Sequence, residues 1–192
     1  MFHLASSSPR RAAILDALGA AYTMAGMDID EQRLPGETAD AMVLRLAAGK
    51  AAAAGKLHAN AVLAADTAVV VDDEIFGKPV DQEDAMLMLA RLSGRSHQVM
   101  TGVAVRWGDT ERVILSTTEV RFREISPDEA LAYWQSGEPR GKAGAYAIQG
   151  LAGLFVEQIS GSYSGVVGLP VYETATLLAE AGIDLLKRTA SQ

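Results

Sequence analysis

The sequence contains no cysteine among its 192 residues. Disulfide bonds, thiolate nucleophiles and cysteine-ligated zinc are therefore excluded, and any metal ion has to bind through oxygen atoms or imidazole. No apolar run approaches the roughly 20 residues that cross a bilayer, and the N-terminus lacks the basic region and apolar stretch of a signal peptide. We therefore expect a cytoplasmic protein that does not bind a membrane.

Positive charge is also scarce, since 17 Lys and Arg stand against 24 Asp and Glu, which gives a net charge of −7 at pH 7. This balance argues against binding to a nucleic-acid polymer, which normally requires a basic face. An anionic ligand needs a local pocket of positive charge instead. Hydrophobic residues make up 49% of the chain, a composition typical of a globular protein, and we expect residues 1–192 to form one domain.

Hydrophobic periodicity predicts interleaved strands and helices. The predicted strands are residues 2–5, "AVLAADTAVVVDD" entering a hairpin, the antiparallel pair "HQVMTGVAVRW" and "RVILSTTEVRFRE", and a strand around "LFVEQI". The predicted helices are residues 8–18, residues 38–57, "DQEDAMLMLARLSG", "SPDEALAYWQSG" and residues 171–181. "GMDIDEQRLPGE" and "GSYSGVVGLP" are predicted as loops, residues 20–25 receive no assignment, and residues 189–192 are expected to fray. The pattern favours an α/β protein with a mixed sheet.

The stretch "SSSPRR", residues 6–11, has the features of a helix start, with Ser8 as the N-cap and Pro9 at the first helical position. This interpretation places Arg10 and Arg11 in the first turn, where the helix dipole favours anions over cations. The nearest carboxylate along the helix, Asp16, is five residues from Arg11 and lies off their face. The two arginines therefore conflict with their local environment.

Asp66 stands in the middle of the predicted strand "LAADTAVVV", on the face that it shares with Ala64, Ala68 and Val70. A carboxylate without partners there is destabilising or loses its charge. One interpretation is a break in the strand, at which Asp66 accepts local backbone hydrogen bonds. The other is a polar cleft in which the carboxylate is positioned for chemistry.

Lys50 falls on the apolar stripe of the second predicted helix, in line with Val43 and Leu46. It is either a lysine that extends to solvent at the edge of the stripe or a charge turned inwards. Lys78, in "FGKPV", is a surface residue or one that the preceding hairpin returns towards Asp66. The acidic turn of that hairpin, residues 72–74, is interpreted as solvated.

Two further segments carry candidate ligands. Glu31 lies in a polar segment whose clustered carboxylates suit Mg²⁺ or Mn²⁺, although a hydrophilic loop has the same composition. "GKAGAYAIQG" matches neither the phosphate-loop nor the dinucleotide-binding pattern. Its small residues would permit a flat ligand to approach, and the amide of Gln149 can donate a hydrogen bond to a base edge and accept one from it. The alternative interpretation of this motif is a tight turn without a ligand.

Together these residues resemble the Maf family of nucleoside triphosphate pyrophosphatases. The resemblance runs in order through "LASSSPRR", "DEQR", Lys50, "AADT", "GKP", "SHQVMTGVAV", "KAGAYAIQG" and "GSYSGVVGLP". It implies hydrolysis between the α and β phosphates with a divalent cation, Mg²⁺ or Mn²⁺, in a house-cleaning role for the nucleotide pool. It also implies an inosine triphosphatase-like α/β fold, in which helices flank a long, curved mixed β-sheet and two lobes surround a cleft, and a homodimer.

The resemblance assigns roles to individual residues. The family's proposed catalytic base matches Asp66, and its other cleft residues match Ser8, Arg11, Glu31, Lys50 and Lys78. The positions linked to base choice match Arg10, Thr67 and Gln149. Asp66 and Glu31 are the expected metal ligands, with Asp66 either a ligand or the base. Ser7 departs from the family pattern, since many members have glycine there.

Thr67 together with "KAGAYAIQG" resembles the branch of the family that acts on dTTP and UTP, and modified pyrimidine nucleotides are possible further substrates. The branch that acts on 7-methyl-GTP is the nearer alternative. A nucleotide-binding regulator of septum formation is the alternative from another class.

A triphosphate at the helix start resolves the conflict in "SSSPRR", because backbone N–H groups, serine hydroxyls and both guanidinium groups then meet an anion. In this hypothesis Arg11, Lys50 and Lys78 hold the phosphates, and Arg10 reaches the base or sugar. We therefore expect Arg11→Ala to weaken substrate use far more than folding. Relief of the dipole conflict is even expected to stabilise the ligand-free protein.

Overall fold

A computed structural model describes residues 1–187, and residues 188–192, with the segment that is expected to fray, lie outside this part. Seven strands of the described chain form one sheet: β1 Phe2–Ala5, β2 Tyr22–Ala25, β3 Val62–Val71, β4 Glu74–Phe76, β5 Ser96–Trp107, β6 Thr110–Phe122 and β7 Val156–Ser160. The strand order is β2-β1-β3-β5-β6-β7, with β4 paired to β3 outside this path. β1 is parallel to β2 and β3 and the other pairs are antiparallel, so the predicted mixed sheet is confirmed.

The helices that flank this sheet are α1 Pro9–Ala17, α2 Ala39–Gly55, α3 Gln82–Leu92, α4 Pro127–Gln135, α5 Tyr163–Val167 and α6 Val171–Glu180. Short 3₁₀ turns cover Ala143–Ala145 and Leu151–Phe155. The five longer helices agree with the predicted ones to within a few residues at each end. No helix in residues 1–187 combines the length and the apolar character needed to cross a membrane.

Two elements differ from the sequence prediction. β2 received no assignment, because it is a four-residue strand at the sheet edge whose last three residues are exposed, so no buried face marks it. α5 lies in "GSYSGVVGLP", which was predicted as a loop. Its single turn is only five residues long and ends at Gly168, where φ is 124°, so the glycines that signal a loop here also terminate a helix.

The pairing of β3 leaves a gap in the sheet. β5 pairs with β3 along one edge, from Val62 to Val70. On the other edge β1 pairs with Val62 and Leu63, and β4 pairs with residues 69–71. Between them, residues 64–68 have no strand partner on that edge within the described part of the chain. We call this stretch of β3 the edge gap, and Asp66 is its central residue.

The hydrophobic core divides at the edge gap. One buried cluster lies under α3 and α4 and includes Val69, Leu89 and Phe122. A second cluster includes Leu4 and Leu63, at the other end of β3. The long strands β5 and β6 contribute to both clusters, so they form a continuous support beneath two lobes. The predicted arrangement of two lobes around a cleft is therefore observed.

α2 packs closely on the sheet because its inner face carries small residues. These residues and the strand residues beneath them are fully buried: Ala47, Ala51, Ala54, Ala64 and Ala104. At Gly102 of β5, a Cβ atom would lie only 2.5 Å from the carbonyl oxygen of Val43 in α2. Gly102 is the register partner of Asp66, and Lys50 follows Val43 by two helical turns. The close approach of α2 therefore places Lys50 on the side of the sheet that holds Asp66.

Gly102→Ala is expected to destabilise the protein by about 2–3 kcal/mol, because the added methyl group forces the backbone of α2 away from β5. The midpoint of urea unfolding measures the loss. Gly77→Ala is the matched control, since a Cβ there meets no heavy atom within 4 Å. That control is expected to leave stability unchanged or to raise it by up to ~1 kcal/mol. Equal stability of the two variants would contradict the role of Gly102 in seating α2.

Candidate active site

A cleft of about 540 Å³ opens at the edge gap, which is within the volume range of small-molecule sites. Its walls come from the β1–α1 loop, α2, β3, the segment after β4, and the loop around residues 141–149. All nine residues that the sequence suggested for the site line it: Ser8, Arg10, Arg11, Glu31, Lys50, Asp66, Thr67, Lys78 and Gln149. The fold thus brings residues from the whole length of the chain into one cavity.

Lys50 joins the two candidate acidic residues. Its Nζ atom lies 2.6 Å from Oε1 of Glu31 and 2.7 Å from Oδ1 of Asp66. Lys50 is only 8% exposed and does not extend to solvent, so the inward interpretation is confirmed. β3 continues without interruption through Asp66, so the alternative of a strand break is wrong. The ion pair with Lys50 compensates the charge of the partly buried Asp66.

Glu31 is held in its ionised form by its surroundings. The hydrogen bond from Lys50 is the largest influence and lowers the pKa of Glu31 below its ordinary value. Partial burial opposes this effect, while the positive charges of Lys50, Lys78 and Arg11 lower the pKa further. At neutral pH the cleft therefore presents a carboxylate at Glu31 within a ring of cations.

Glu31 and Asp66 also have the chemistry of a divalent-cation site. Each contacts Lys50 through one oxygen atom, which leaves the second oxygen of each carboxylate as a donor for another cation. Residues 1–187 contain no group of three or more acidic or histidine side chains that could hold a metal ion without further ligands. A pair of carboxylates fits Mg²⁺ or Mn²⁺, which keep several waters and take further oxygens from substrate phosphates.

The acidic hairpin turn is not part of the cleft. Asp72 forms an ion pair with Arg95 at 2.6 Å, and Glu74 forms one with Arg91 at 2.8 Å. These side chains are about half exposed, as predicted for a solvated turn. The turn serves to return the chain, so that Lys78 reaches the rim of the cleft, where it is exposed.

Arg11 is fixed by three hydrogen bonds, two of them to distant parts of the chain. Its Nε donates to the carbonyl oxygen of Gly168 at 2.7 Å, and its terminal nitrogens donate to Ser6 Oγ at 3.1 Å and Thr67 Oγ1 at 3.3 Å. Burial lowers the pKa of Arg11 to about 10, so it stays charged at neutral pH. These bonds argue against the expectation that removal of Arg11 stabilises the ligand-free protein, because Arg11 links the β1–α1 loop, β3 and the segment after α5.

A chain of hydroxyl groups continues from Arg11 beneath the cleft. Thr101 Oγ1 donates to the carbonyl oxygen of Gly165 at 2.8 Å, so Thr67 has to supply the proton for its 3.0 Å bond to Thr101. The single hydroxyl proton of Thr67 is thereby committed. The hydroxyl oxygen of Thr67 can therefore accept a hydrogen bond from a nucleotide base but cannot donate one. Its role in base choice stays a prediction, limited to groups of the base that donate.

The start of α1 leaves several donors without partners in residues 1–187. Ser8 is the N-cap, as predicted, but its side chain forms no capping hydrogen bond, and the first turn contains no acidic residue. The first intrahelical bond is donated by Ala12 to Ser8, so the backbone N–H groups of Arg10 and Arg11 precede it. These residues line the cleft, which makes this helix start a site for an anion.

Sequence reasoning missed one cation of the cleft, Lys142. It lies in the quoted motif "GKAGAYAIQG" and lines the cavity near Arg10. Burial, and to a lesser extent the positive charge of Arg10, lower the pKa of Lys142. Arg10 itself makes only a long bond, 3.4 Å from its Nε to the carbonyl oxygen of Val167. Its place in this motif was the one sequence signal for Lys142 as a cleft residue. Nothing in the sequence showed that the loop folds back towards α1.

Gln149 lies exposed at the end of the same loop and lines the cleft. The loop turns at Gly144, where φ is 66° and a Cβ atom would lie 2.9 Å from Val69 Cγ1. Gly144 also donates from its backbone N–H to the carbonyl oxygen of Gly77 at 3.0 Å. The segment is thus a tight turn that also forms a wall of the site, so the two interpretations of this motif are compatible.

Comparison with known proteins places the chain within a recognised sequence family. Residues 1–181 match the family described as "Maf-like protein". A protein of Chromobacterium violaceum named dTTP/UTP pyrophosphatase is 53% identical over 189 residues, which is 95% of this chain and 96% of that protein. A Pseudoalteromonas atlantica protein of the same name is 48% identical over 188 residues, covering 95% and 98%. The solved structure of the Staphylococcus aureus Ham1 protein is 18% identical, covers 63% of this chain and 71% of that chain, and has a TM-score of 0.47.

Arg11→Ala is expected to lower the free energy of unfolding by about 1–3 kcal/mol when no ligand is present, because three hydrogen bonds between separate elements are lost. Arg10→Ala is the matched control. It removes an equal charge from the same helix turn but only one long hydrogen bond, so its stability should change by less than ~0.5 kcal/mol. Urea unfolding at low salt measures both. A variant at Arg11 that is as stable as the unmodified chain would show that the dipole conflict outweighs the three bonds.

Proposed function

Because the chain belongs to the Maf-like protein family, we propose that it hydrolyses dTTP and UTP to the nucleoside monophosphate and pyrophosphate. The observation that carries the proposal is the Glu31–Lys50–Asp66 cluster at the edge gap, beside a helix start with two arginines. The choice of substrate is supported by relatives about half identical over nearly the whole chain that are named dTTP/UTP pyrophosphatase.

The phosphates lie against the start of α1. There the backbone N–H groups, the hydroxyl of Ser8 and the remaining N–H groups of Arg11 donate hydrogen bonds to phosphate oxygens. Lys78 and Lys142 add positive charge from two other segments that line the cleft. Phosphoryl transfer depends mainly on positioning and on charge neutralisation, and these groups supply both.

Asp66 takes the proton of the attacking water. The oxygen of that water bonds to the α phosphorus, the bond from this phosphorus to the oxygen bridging to the β phosphorus breaks, and pyrophosphate leaves. Lys50 keeps the carboxylates of Asp66 and Glu31 at fixed positions, and its third N–H remains for a phosphate oxygen. Glu31 and Asp66 would hold Mg²⁺ or Mn²⁺, which when bound neutralises phosphate charge and lowers the pKa of a coordinated water.

Gln149 and Arg10 face the nucleoside. The side-chain amide of Gln149 offers a donor and an acceptor, which matches the alternating carbonyl and N–H groups on the edge of uracil or thymine. Arg10, with most of its N–H groups uncommitted, reaches the base or the sugar. The homodimer, the identity of the metal and the cytoplasmic location stay predictions from the sequence.

Incubation with dTTP, UTP and 7-methyl-GTP in the presence of Mg²⁺ tests the reaction. We expect pyrophosphate and the monophosphate from dTTP and UTP, identified by chromatography and a pyrophosphate assay. Release of orthophosphate and a nucleoside diphosphate would show cleavage between the β and γ phosphates and would contradict the proposed reaction. Turnover of 7-methyl-GTP alone would favour the other branch of the family, and saturable binding without product would favour a regulator.

Asp66→Asn is expected to lower kcat for dTTP by roughly 10²–10⁴-fold, since the proton acceptor is lost while the shape of the side chain is kept. The dissociation constant of dTTP should change far less, and calorimetry measures it. Asp109→Asn is the control, because Asp109 is an exposed acid in the turn between β5 and β6, outside the cleft. An undiminished kcat in Asp66→Asn would remove Asp66 from the mechanism.

A further inference from the structure

A partly buried hydrogen-bond network holds the chain on the N-terminal side of Gln149. The hydroxyl of Tyr133, in α4, accepts a hydrogen bond from the backbone N–H of Ala147 at 3.1 Å. The same hydroxyl donates to Oε1 of Glu138 at 2.7 Å. Both hydrogen-bonding functions of Tyr133 are therefore used, one of them to fix a backbone atom two residues before Gln149.

The carboxylate of Glu138 holds the chain on the other side of Gln149. Its Oε2 accepts from the backbone N–H of Leu151 at 2.9 Å, and its Oε1 accepts from that of Ala152 at 3.2 Å. Gly150 lies directly against this carboxylate, so any side chain at that position would collide with it. Gln149 thus occupies the centre of a short loop whose two sides are bound to the same pair of side chains.

The centre of the network, Tyr133, is buried, and its hydroxyl has both a donor and an acceptor partner. Tyr133 is only 4% exposed, and its ring meets that of Phe155 edge to face with centroids 5.4 Å apart. Burial, and then the hydrogen bond to Glu138, raise the pKa of Tyr133 well above its ordinary value, so the hydroxyl keeps its proton. Neither Tyr133 nor Glu138 lines the cleft, so they do not reach a ligand bound there.

We propose that Tyr133 and Glu138 are positioning residues that set the base preference of the cleft through Gln149. The proposal rests on the proposed function, because it takes Gln149 as the residue that meets the base. Without the hydroxyl of Tyr133, the N–H of Ala147 and the carboxylate of Glu138 lose a shared partner, and the amide of Gln149 samples several orientations. The phosphate contacts at α1 are unaffected, because none of them involves this network.

Tyr133→Phe tests the proposal, since it removes the hydroxyl and keeps the ring against Phe155. The measurements are KM and kcat for dTTP, and the inhibition constant of dGTP as a competitor. We expect the preference for dTTP over dGTP to fall about tenfold, equivalent to ~1.4 kcal/mol, through KM and with little change in kcat. Tyr22→Phe is the matched control, because the hydroxyl of Tyr22 bonds to Ala12 and Asp16, away from this loop.

A double-mutant cycle with Gln149→Ala separates positioning from general damage. If Tyr133 acts through Gln149, Tyr133→Phe lowers the base preference in the unmodified chain and has no further effect in the Gln149→Ala chain. An equal loss in both backgrounds, or an unchanged preference in the unmodified chain, overturns the proposal. Glu138→Gln enters the same cycle if Tyr133→Phe does not fold, and the same outcomes apply.

The assay of the unmodified chain with dTTP separates failure of the proposed function from failure of the positioning role of Tyr133. If the unmodified chain does not release pyrophosphate from dTTP but binds it, the proposed function fails, and the cycle is read from dissociation constants of dTTP and dGTP. If it neither binds nor cleaves dTTP, both proposals are overturned. With an active unmodified chain, an intact preference in Tyr133→Phe overturns only the positioning role.

Discussion

The ion pair between Asp66 and Lys50 is the interaction on which the rest of the architecture depends. A carboxylate in the middle of a buried strand requires a counter-charge, and here the counter-charge comes from a helix on one side of the sheet. A lysine in that helix reaches the strand only if the helix lies close, which explains the alanine-rich face of α2 and the absence of a side chain at Gly102. At the edge gap no strand of the described chain covers this side of β3, and Asp66 lines the cleft there.

The sequence was most informative where a charged residue occupies a position that its local secondary structure disfavours for that charge. Asp66 in a strand, Lys50 on an apolar stripe and the arginines at a helix start all lie in one cleft, because charge in an apolar pattern is stabilised by partners that the pattern itself does not show. Strands and helices with a clear period were also predictable. β2 was not, since an exposed four-residue edge strand has no buried face to leave a pattern.

The remaining features depend on contacts that leave no local signal. The partner of Arg11 Nε is the backbone carbonyl of Gly168, and a carbonyl looks the same in every residue. Glu138 resembles a solvated acid after a helix, and only the folded loop shows that it accepts two backbone N–H groups. Lys142 was hidden in the same way, because its neighbour in the cleft, Arg10, is remote in sequence. Long-range geometry, and not residue chemistry, was the missing information.

The hydrogen bond from Arg11 to Gly168 spans 157 positions of the chain, which affects the order in which the cleft forms during synthesis. α1 leaves the ribosome well before Gly168, so the guanidinium of Arg11 lacks its shortest hydrogen bond until the segment after α5 has been made and has packed. Contacts of such sequence separation form late in folding. A chain that stops before this segment therefore contains every charged group of the cleft but lacks one of the three hydrogen bonds that hold Arg11, so the complete geometry of the cleft forms only after Gly168 has packed.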